Sequence, residues 1–323
     1  MNTVPRVALN ASLCLVFHES VTIVWSFAAR QRVVQVGGVN VGGIPGERPV
    51  VLVGTVFYRG HRVITNEGTS AFNKDEAEAL INVQDEFSEK TGNPSMIDIV
   101  GTSSEILNKE LDFVTTMTDA PVLIDSPSMD VRLEGIRHAK EVGLIERVVY
   151  NSIVPDSKPE ELRALKELEL KSSILLSYNP DDPFTVRARM DGARKLLSMS
   201  DQIGIDKPLI DTCVLDVPTL GVACRTLWNI KNETGFPVGA GTHNAVATWR
   251  GLKKKLGKYA VEHCTVAAAV TSVNAGADFV LYGPIEYAKS VFPAVAMVDV
   301  SYGQLTFEQG KRPVAGHPFF KVV

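Results

Sequence analysis

Six runs of apolar, β-branched sequence end on a carboxylate or an amide. The residues are Asp98, Asp125, Asn151, Asn179, Asp211 and, inside the Thr242-His243-Asn244 triplet, Asn244. Three carboxylates and three amides from six separate segments suit hydrogen-bond recognition and proton handling better than covalent chemistry. No lysine stands among them, which disfavours a Schiff-base nucleophile. No arginine does either, which disfavours a phosphorylated group as the central ligand. Each residue has a plainer reading as well, because Asp and Asn after a strand commonly cap the helix that follows. That reading weakens if all six converge on one pocket.

A ring of acceptors suits a flat ligand whose edge is rich in N–H donors. A pterin has such an edge, since its 2-amino group and the adjacent ring N–H can both donate to one carboxylate. Amides, which donate and accept, would read the rest of the ring edge. Other chemistries find less support. Gly239-x-Gly241-x-x-Asn244 approaches a dinucleotide fingerprint, but it lacks the third glycine and lies near the seventh apolar run. No glycine-rich loop of the kind that binds S-adenosylmethionine follows the first run. Asp211, Cys213 and His243 form a conceivable zinc set, against which Cys213 reads as a packing thiol, and no metal is expected. His61, His138 and His263 read as surface or packing residues.

The elements that must position these side chains follow one repeating pattern, an apolar run and then an amphipathic helix. The runs are Val50–Phe57, Met96–Val100, Pro121–Asp125, Arg147–Ile153, Ser173–Tyr178, Pro208–Val214, Pro237–Gly241 and Ala277–Tyr282. Their unbroken apolar character indicates strands buried on both faces, as in a parallel sheet. Helix starts are marked at Asn73 with Glu76, at Ser128, at Ser157 with Glu160 and at Asp182-Pro183. A stripe of Leu220, Ala223, Leu227 and Ile230 ends at Gly235. Eight alternations without a strong linker predict an α/β fold of the (β/α)₈ TIM-barrel type, with an open doubly wound sheet as the rival. Residues 32–44 predict an N-terminal β-hairpin turning at Gly37-Gly38, placed to plug the barrel floor.

The chain has 323 residues, 45% of them apolar and 22% charged, with a formal net charge of −4. That balance fits one large barrel and argues against a broad nucleic-acid or membrane surface; Lys253–Lys255 reads as a solvated helix face. Four scattered cysteines, Cys14, Cys213, Cys224 and Cys264, suit a reducing cytoplasm and offer no disulfide framework. Residues 1–30 read as an extension outside the core, and residues 31–323 as the barrel domain. The apolar stretch Val7–Ala29 suggests a signal peptide, but Asn10, His18 and Glu19 interrupt it, and His18 and Glu19 would also spoil a transmembrane span.

Three runs carry a resemblance. They are Val36 to His61 (Val-Gly-Gly-Val-Asn-Val-Gly-Gly-Ile-Pro-Gly-Glu-Arg and onward), Lys90 to Gly101 (Lys-Thr-Gly-Asn-Pro-Ser-Met-Ile-Asp-Ile-Val-Gly) and Pro121 to Pro127 (Pro-Val-Leu-Ile-Asp-Ser-Pro). In these the chain resembles the H subunits of tetrahydromethanopterin S-methyltransferase, from about Arg32 to its C-terminus, and especially free-standing bacterial relatives that use tetrahydrofolate. More distantly it is similar to other pterin-binding barrels, such as dihydropteroate synthase. The resemblance implies a methyltransferase moving a methyl group between a corrinoid protein and N5 of tetrahydrofolate. The alternatives are a tetrahydromethanopterin-specific subunit of a membrane complex and a non-catalytic subunit that docks a corrinoid protein. It further implies that Asp125 and Asp211 grip the pterin, that Asn151 holds the ring edge, that Asp98 matches a pterin-site Asp near the second strand end, and that Asn244 lies near N5. Asp125 and Asn244 are the expected catalytic residues, and Asp98, Asp125, Asn151, Asn179, Asp211 and Asn244 the substrate-binding set, with His243 the alternative to Asn244. The chain has no Asp-x-His-x-x-Gly cobalamin motif, so the corrinoid is expected on a partner protein. A cytoplasmic homodimer without direct membrane insertion or nucleic-acid binding completes the expectation.

Overall fold

The computed structural model describes residues 25–66 and 71–323. A short antiparallel hairpin, β1 (Val33–Val36) and β2 (Val39–Gly42), precedes the first barrel strand, β3 (Val51–Val56). A small antiparallel pair, β4 (Ile64–Asn66) and β5 (Ala71–Phe72), lies in the loop after β3. The remaining barrel strands are β6 (Ser95–Val100), β7 (Val122–Asp125), β8 (Val148–Ile153), β9 (Ser172–Leu176), β10 (Lys207–Asp211), β11 (Val238–Gly241) and β12 (Phe279–Pro284). They close in chain order, all parallel, with β12 pairing back onto β3. The long helices between and after them are α1 (Lys74–Thr91), α2 (Ser104–Met117), α3 (Met129–Glu141), α4 (Pro159–Glu167), α5 (Val186–Ile203) and α6 (Val217–Thr234). Two one-turn helices, α7 (His243–Ala247) and α8 (Leu252–Leu256), follow β11 ahead of α9 (Tyr259–Asn274), and α10 (Ala288–Glu308) follows β12. Every expected apolar run overlaps a barrel strand, and the closed barrel excludes the open-sheet rival.

Side chains alternate between the two faces of each strand, and that alternation builds the interior. Val51, Val53, Met96, Leu123, Val149, Ile174, Leu209 and Phe279 form one buried layer inside the barrel. Their outward neighbours, such as Leu52, Ile97, Ile124 and Ile210, pack under the helices. The hairpin closes the floor as expected. Val34, Val36 and Val41 join the inner layer, and Gly37 N–H donates to Glu146 O just ahead of β8.

Helix ends agree with the sequence at Asn73, which caps Glu76 N–H, and at Gly235, which takes the left-handed conformation after α6. Two starts differ. α4 begins at Pro159 after Lys158, while the Ser157 hydroxyl accepts from Val154 N–H and so stabilises the preceding turn. α5 begins at Val186, capped by Thr185, whose hydroxyl donates to Asp182 and accepts from Ala188 N–H. Of the N-terminal extension, residues 1–24, and with them most of the signal-like stretch, lie outside the described residues. Residues 25–30 rest on the barrel: the Trp25 ring meets Tyr302 edge-on at 5.5 Å, and Ala29 N–H donates to Asn232 O. No helix among the described residues is long and apolar enough to cross a membrane.

Candidate active site

One step above the buried inner layer, on the same face of each strand, the side chains turn polar. Val51 and Val53 lead to Thr55, Met96 to Asp98, Leu123 to Asp125, Val149 to Asn151, and Leu209 to Asp211. These residues line a cavity of about 470 Å³ at the C-terminal ends of the strands, where a barrel presents its active site. Leu176, Gly241 and Leu281 complete the ring, and Tyr58, His243, Asn244 and Pro284 form its rim. β11 contributes Gly241 beside α7, where a side-chain Cβ would make only ordinary van der Waals contacts. A Cβ on Gly241 would lie 3.5 Å from Asn244 Nδ2, 3.6 Å from His243 Cε1 and 3.7 Å from Asp211 Oδ2. Across from it a Cβ on Gly283 would collide with His243 at 2.6 Å.

The carboxylates are buried and differ in how they are satisfied. Strand register sets Thr55 beside Asp98, and the Thr55 hydroxyl donates to Asp98 Oδ2 at 3.0 Å. Asn151 Nδ2 donates to the other oxygen at 3.1 Å, which orients the amide oxygen for a ligand. Burial pushes the Asp98 carboxyl up to about 6 against these two hydrogen bonds. Asp125 makes no hydrogen bond to another described side chain. Burial and the neighbouring Asp98 charge push it up to about 8, with Arg132 and the Ser126 N–H pulling the other way. Asp211 accepts from Cys213 N–H at 2.6 Å, and burial raises it to about 6 while the Cys213 and Gly241 N–H groups and Arg189 pull it down. His243 Nδ1 lies 3.2 Å from Leu281 O. A carbonyl only accepts, so Nδ1 carries the proton, and neutral His243 keeps Nε2 as an acceptor. Burial lowers the imidazole pKa against that contact.

Five of the six expected residues therefore share one cavity. The structure does not bring Asn179 to them: it lies in a separate groove beside Pro155 and Asp181, where its side chain accepts from Asp181 N–H at 3.0 Å. Thr55, Tyr58 and Arg189 are the residues that sequence reasoning missed. Thr55 shares the alternation of Val51 and Val53, a signal legible once the inward face is known. Tyr58 stacks on buried His61, whose Nδ1 accepts from Phe57 N–H and whose Nε2 lies 3.1 Å from Glu286 Oε1. Arg189, fully buried, donates to the carbonyls of Thr212, Cys213 and Pro183, and so fixes the backbone just after Asp211. Among the described residues no cluster of three or more His, Cys, Asp or Glu is arranged to hold a metal ion.

A closed eight-stranded parallel barrel with buried carboxylates and amides at its C-terminal mouth falls in the class of (β/α)₈ barrels. Solved structures agree on the fold. Dihydropteroate synthase of Xanthomonas albilineans in complex with 7,8-dihydropteroate superposes with a TM-score of 0.58 at 17% identity, covering 82% of this chain and 97% of that one. The Yersinia pestis enzyme with a sulfonamide drug complex gives 0.59 at 14% identity, covering 84% and 100%. Within that class the chain belongs to the MtrH family, the tetrahydromethanopterin S-methyltransferase MtrH subunit, whose model matches residues 29–314. Relatives include H subunits of tetrahydromethanopterin S-methyltransferase from two organisms. That of Methanothermobacter thermautotrophicus is 44% identical over 92% of this chain and 99% of that protein, and that of Methanopyrus kandleri 38% identical over 89% and 96%. The family is one of methyltransferase subunits.

Proposed function

We propose that this chain transfers a methyl group between a corrinoid-carrying partner protein and N5 of a reduced pterin, tetrahydrofolate in the first reading. The observation that carries the proposal is the convergence of Asp98, Asp125, Asn151 and Asp211 on one cavity. The donor set fits the pterin head. Asp125 has acceptor oxygens not taken by other side chains, set for the 2-amino group and the ring N–H, and the Asn151 amide is already oriented by Asp98. A cavity of about 470 Å³ accommodates such a head group, whereas a corrinoid with its nucleotide tail is larger than the cavity, in keeping with a cofactor presented from outside.

When bound, the corrinoid supplies the cobalt that gives or takes the methyl group. The residues of this chain place N5 and handle its proton. Toward the pterin, N5 reacts as a neutral amine and then sheds a proton. In the reverse direction N5 must be protonated before it can leave. Asn244, with water, is set to relay that proton, and His243 Nε2 beside it is a second acceptor. The rest is placement and polar stabilisation in a buried site.

The names of the relatives favour a second reading, with tetrahydromethanopterin as the carrier. Both carriers have the pterin head, so the carboxylate ring serves either. Calorimetric titration with the two pterins side by side decides: tighter binding of one names the carrier, and binding of neither would refute the pterin assignment.

A further inference from the structure

We propose that the segment from Trp249 to Tyr259, beside the active-site mouth, is the docking surface for an acidic face of the corrinoid-carrying partner protein. The inference rests on the function proposed above and adds where the partner sits and what charge it carries.

α7 carries His243 and Asn244 at its start, and the segment in question leaves its end, so the surface is continuous with the cavity. Leu252 is buried and anchors α8 against Val246 and Ala268. With α8 so fixed, Leu256 and Tyr259 are left 63% and 66% exposed, and Trp249 38%. Large apolar side chains held outward on and beside an anchored helix are what a binding surface needs and what an ordinary solvated face avoids.

The charge is as one-sided as the exposure. Arg250, Lys253, Lys254, Lys255 and Lys258 fall within this stretch with no acidic residue among them, on a chain whose net charge is −4. None of the five forms an ion pair among the described residues; Lys258 lies over the Tyr259 ring. The acidic groups flanking the stretch are engaged: Asp216 caps α6 through Thr219 N–H, and Glu262 accepts from Ser290. Bare cations around aromatic anchors fit an anionic protein surface, steering its approach at long range.

Adjoining loops stiffen the same side of the mouth. Thr248 donates to Leu215 O, which ties the end of α7 to the turn before α6, and Arg189 ties Pro183 to Cys213. An anionic membrane shares the charge and the aromatic preference, but pressed here it would cover the cavity that a protein-borne methyl group must reach. The geometry therefore favours a protein.

The test compares the parent chain with Lys253→Glu/Lys254→Glu/Lys255→Glu. The donors are free methylcobalamin and a corrinoid-binding protein of net negative charge reconstituted with methylcobalamin. Binding of the labelled corrinoid protein is followed separately by fluorescence anisotropy. The charge-reversed chain is expected to bind that protein, and to accept methyl from it, at least about tenfold less well at low salt. Its rate with free methylcobalamin should stay within about twofold of the parent's. The parent's advantage should shrink as salt is added. Equal binding by parent and variant overturns the proposal, as does a parent that fails to bind the corrinoid protein. So does a variant that loses both donors alike, or one that changes oligomeric mass in light scattering, which would assign the face to a second copy. Binding of the parent to phosphatidylserine vesicles, lost in the variant, would assign it to a membrane. Normal protein binding with no transfer from either donor would instead refute the methyl-transfer reading and leave the docking surface standing.

Discussion

Asp125 is the residue on which the site's acid–base behaviour turns. Burial and the Asp98 charge push its carboxyl up to about 8, so near neutral pH it is mostly protonated in the empty cavity. N–H donors on an arriving pterin favour the charged form and lower that pKa. Binding near pH 7 should therefore release a proton, and affinity should rise with pH up to about 8 and then level off. Titration in buffers of different ionisation enthalpy reads the released proton; a buffer-independent heat would contradict the assignment. Asp125→Ala or Asp211→Ala should weaken pterin binding by more than about tenfold, at about 1.5–3 kcal/mol for each charge-assisted hydrogen bond lost. Undiminished binding by either variant would remove that residue from the pterin site. Asn244→Ala should lower the single-turnover rate in both directions with little change in affinity, because its proposed contact is to the atom whose bonding changes. An unchanged rate would pass the role to His243 or to water.

At the scale of elements, the barrel strands do the placing, and strand alternation explains what the sequence revealed. Asp98, Asp125, Asn151 and Asp211 each follow an inward apolar residue two positions earlier, so their type and spacing already marked them. Asn179 looked the same in sequence, yet β9 ends at Leu176, which itself takes the cavity-facing place two residues after Ile174, and Asn179 lies beyond the strand. The helix starts at Ser157 and Asp182 misled for a related reason, since short polar side chains satisfy a turn as readily as a helix cap. Tyr58 and Arg189 were out of reach because their partners, His61 with Glu286 and the carbonyls of distant loops, meet only in three dimensions. The helical layer holds its own test in α2. Glu110 is buried there, and burial pushes its carboxyl up to about 9, so the folded chain binds a proton that the unfolded chain releases at lower pH. This group's contribution to stability is complete below the unfolded pKa and is lost as pH rises toward about 9. Glu110→Gln should therefore gain stability over the parent increasingly from about pH 5 to 9 in thermal melts, and a constant difference would contradict the buried, protonated assignment.

For the whole molecule, the two ends of the barrel divide the labour. The floor is closed by the hairpin, with Val36 and Val41 fully buried in the inner layer, so a charge there has no partner and no water. Val36→Asp should cost more than about 4 kcal/mol in denaturant unfolding. A loss under about 0.5 kcal/mol would mean the hairpin is not part of the core. The mouth holds the proposed site, and MtrH-family membership agrees with a methyl-transferring role for the chain. The most direct measurement supplies free methylcobalamin carrying a labelled methyl group together with tetrahydrofolate or tetrahydromethanopterin, and follows label arriving on the pterin. The account predicts N5-methylated product with the parent chain and a large loss with Asp125→Ala of intact fold. Binding of neither pterin and no labelled product from either would contradict it.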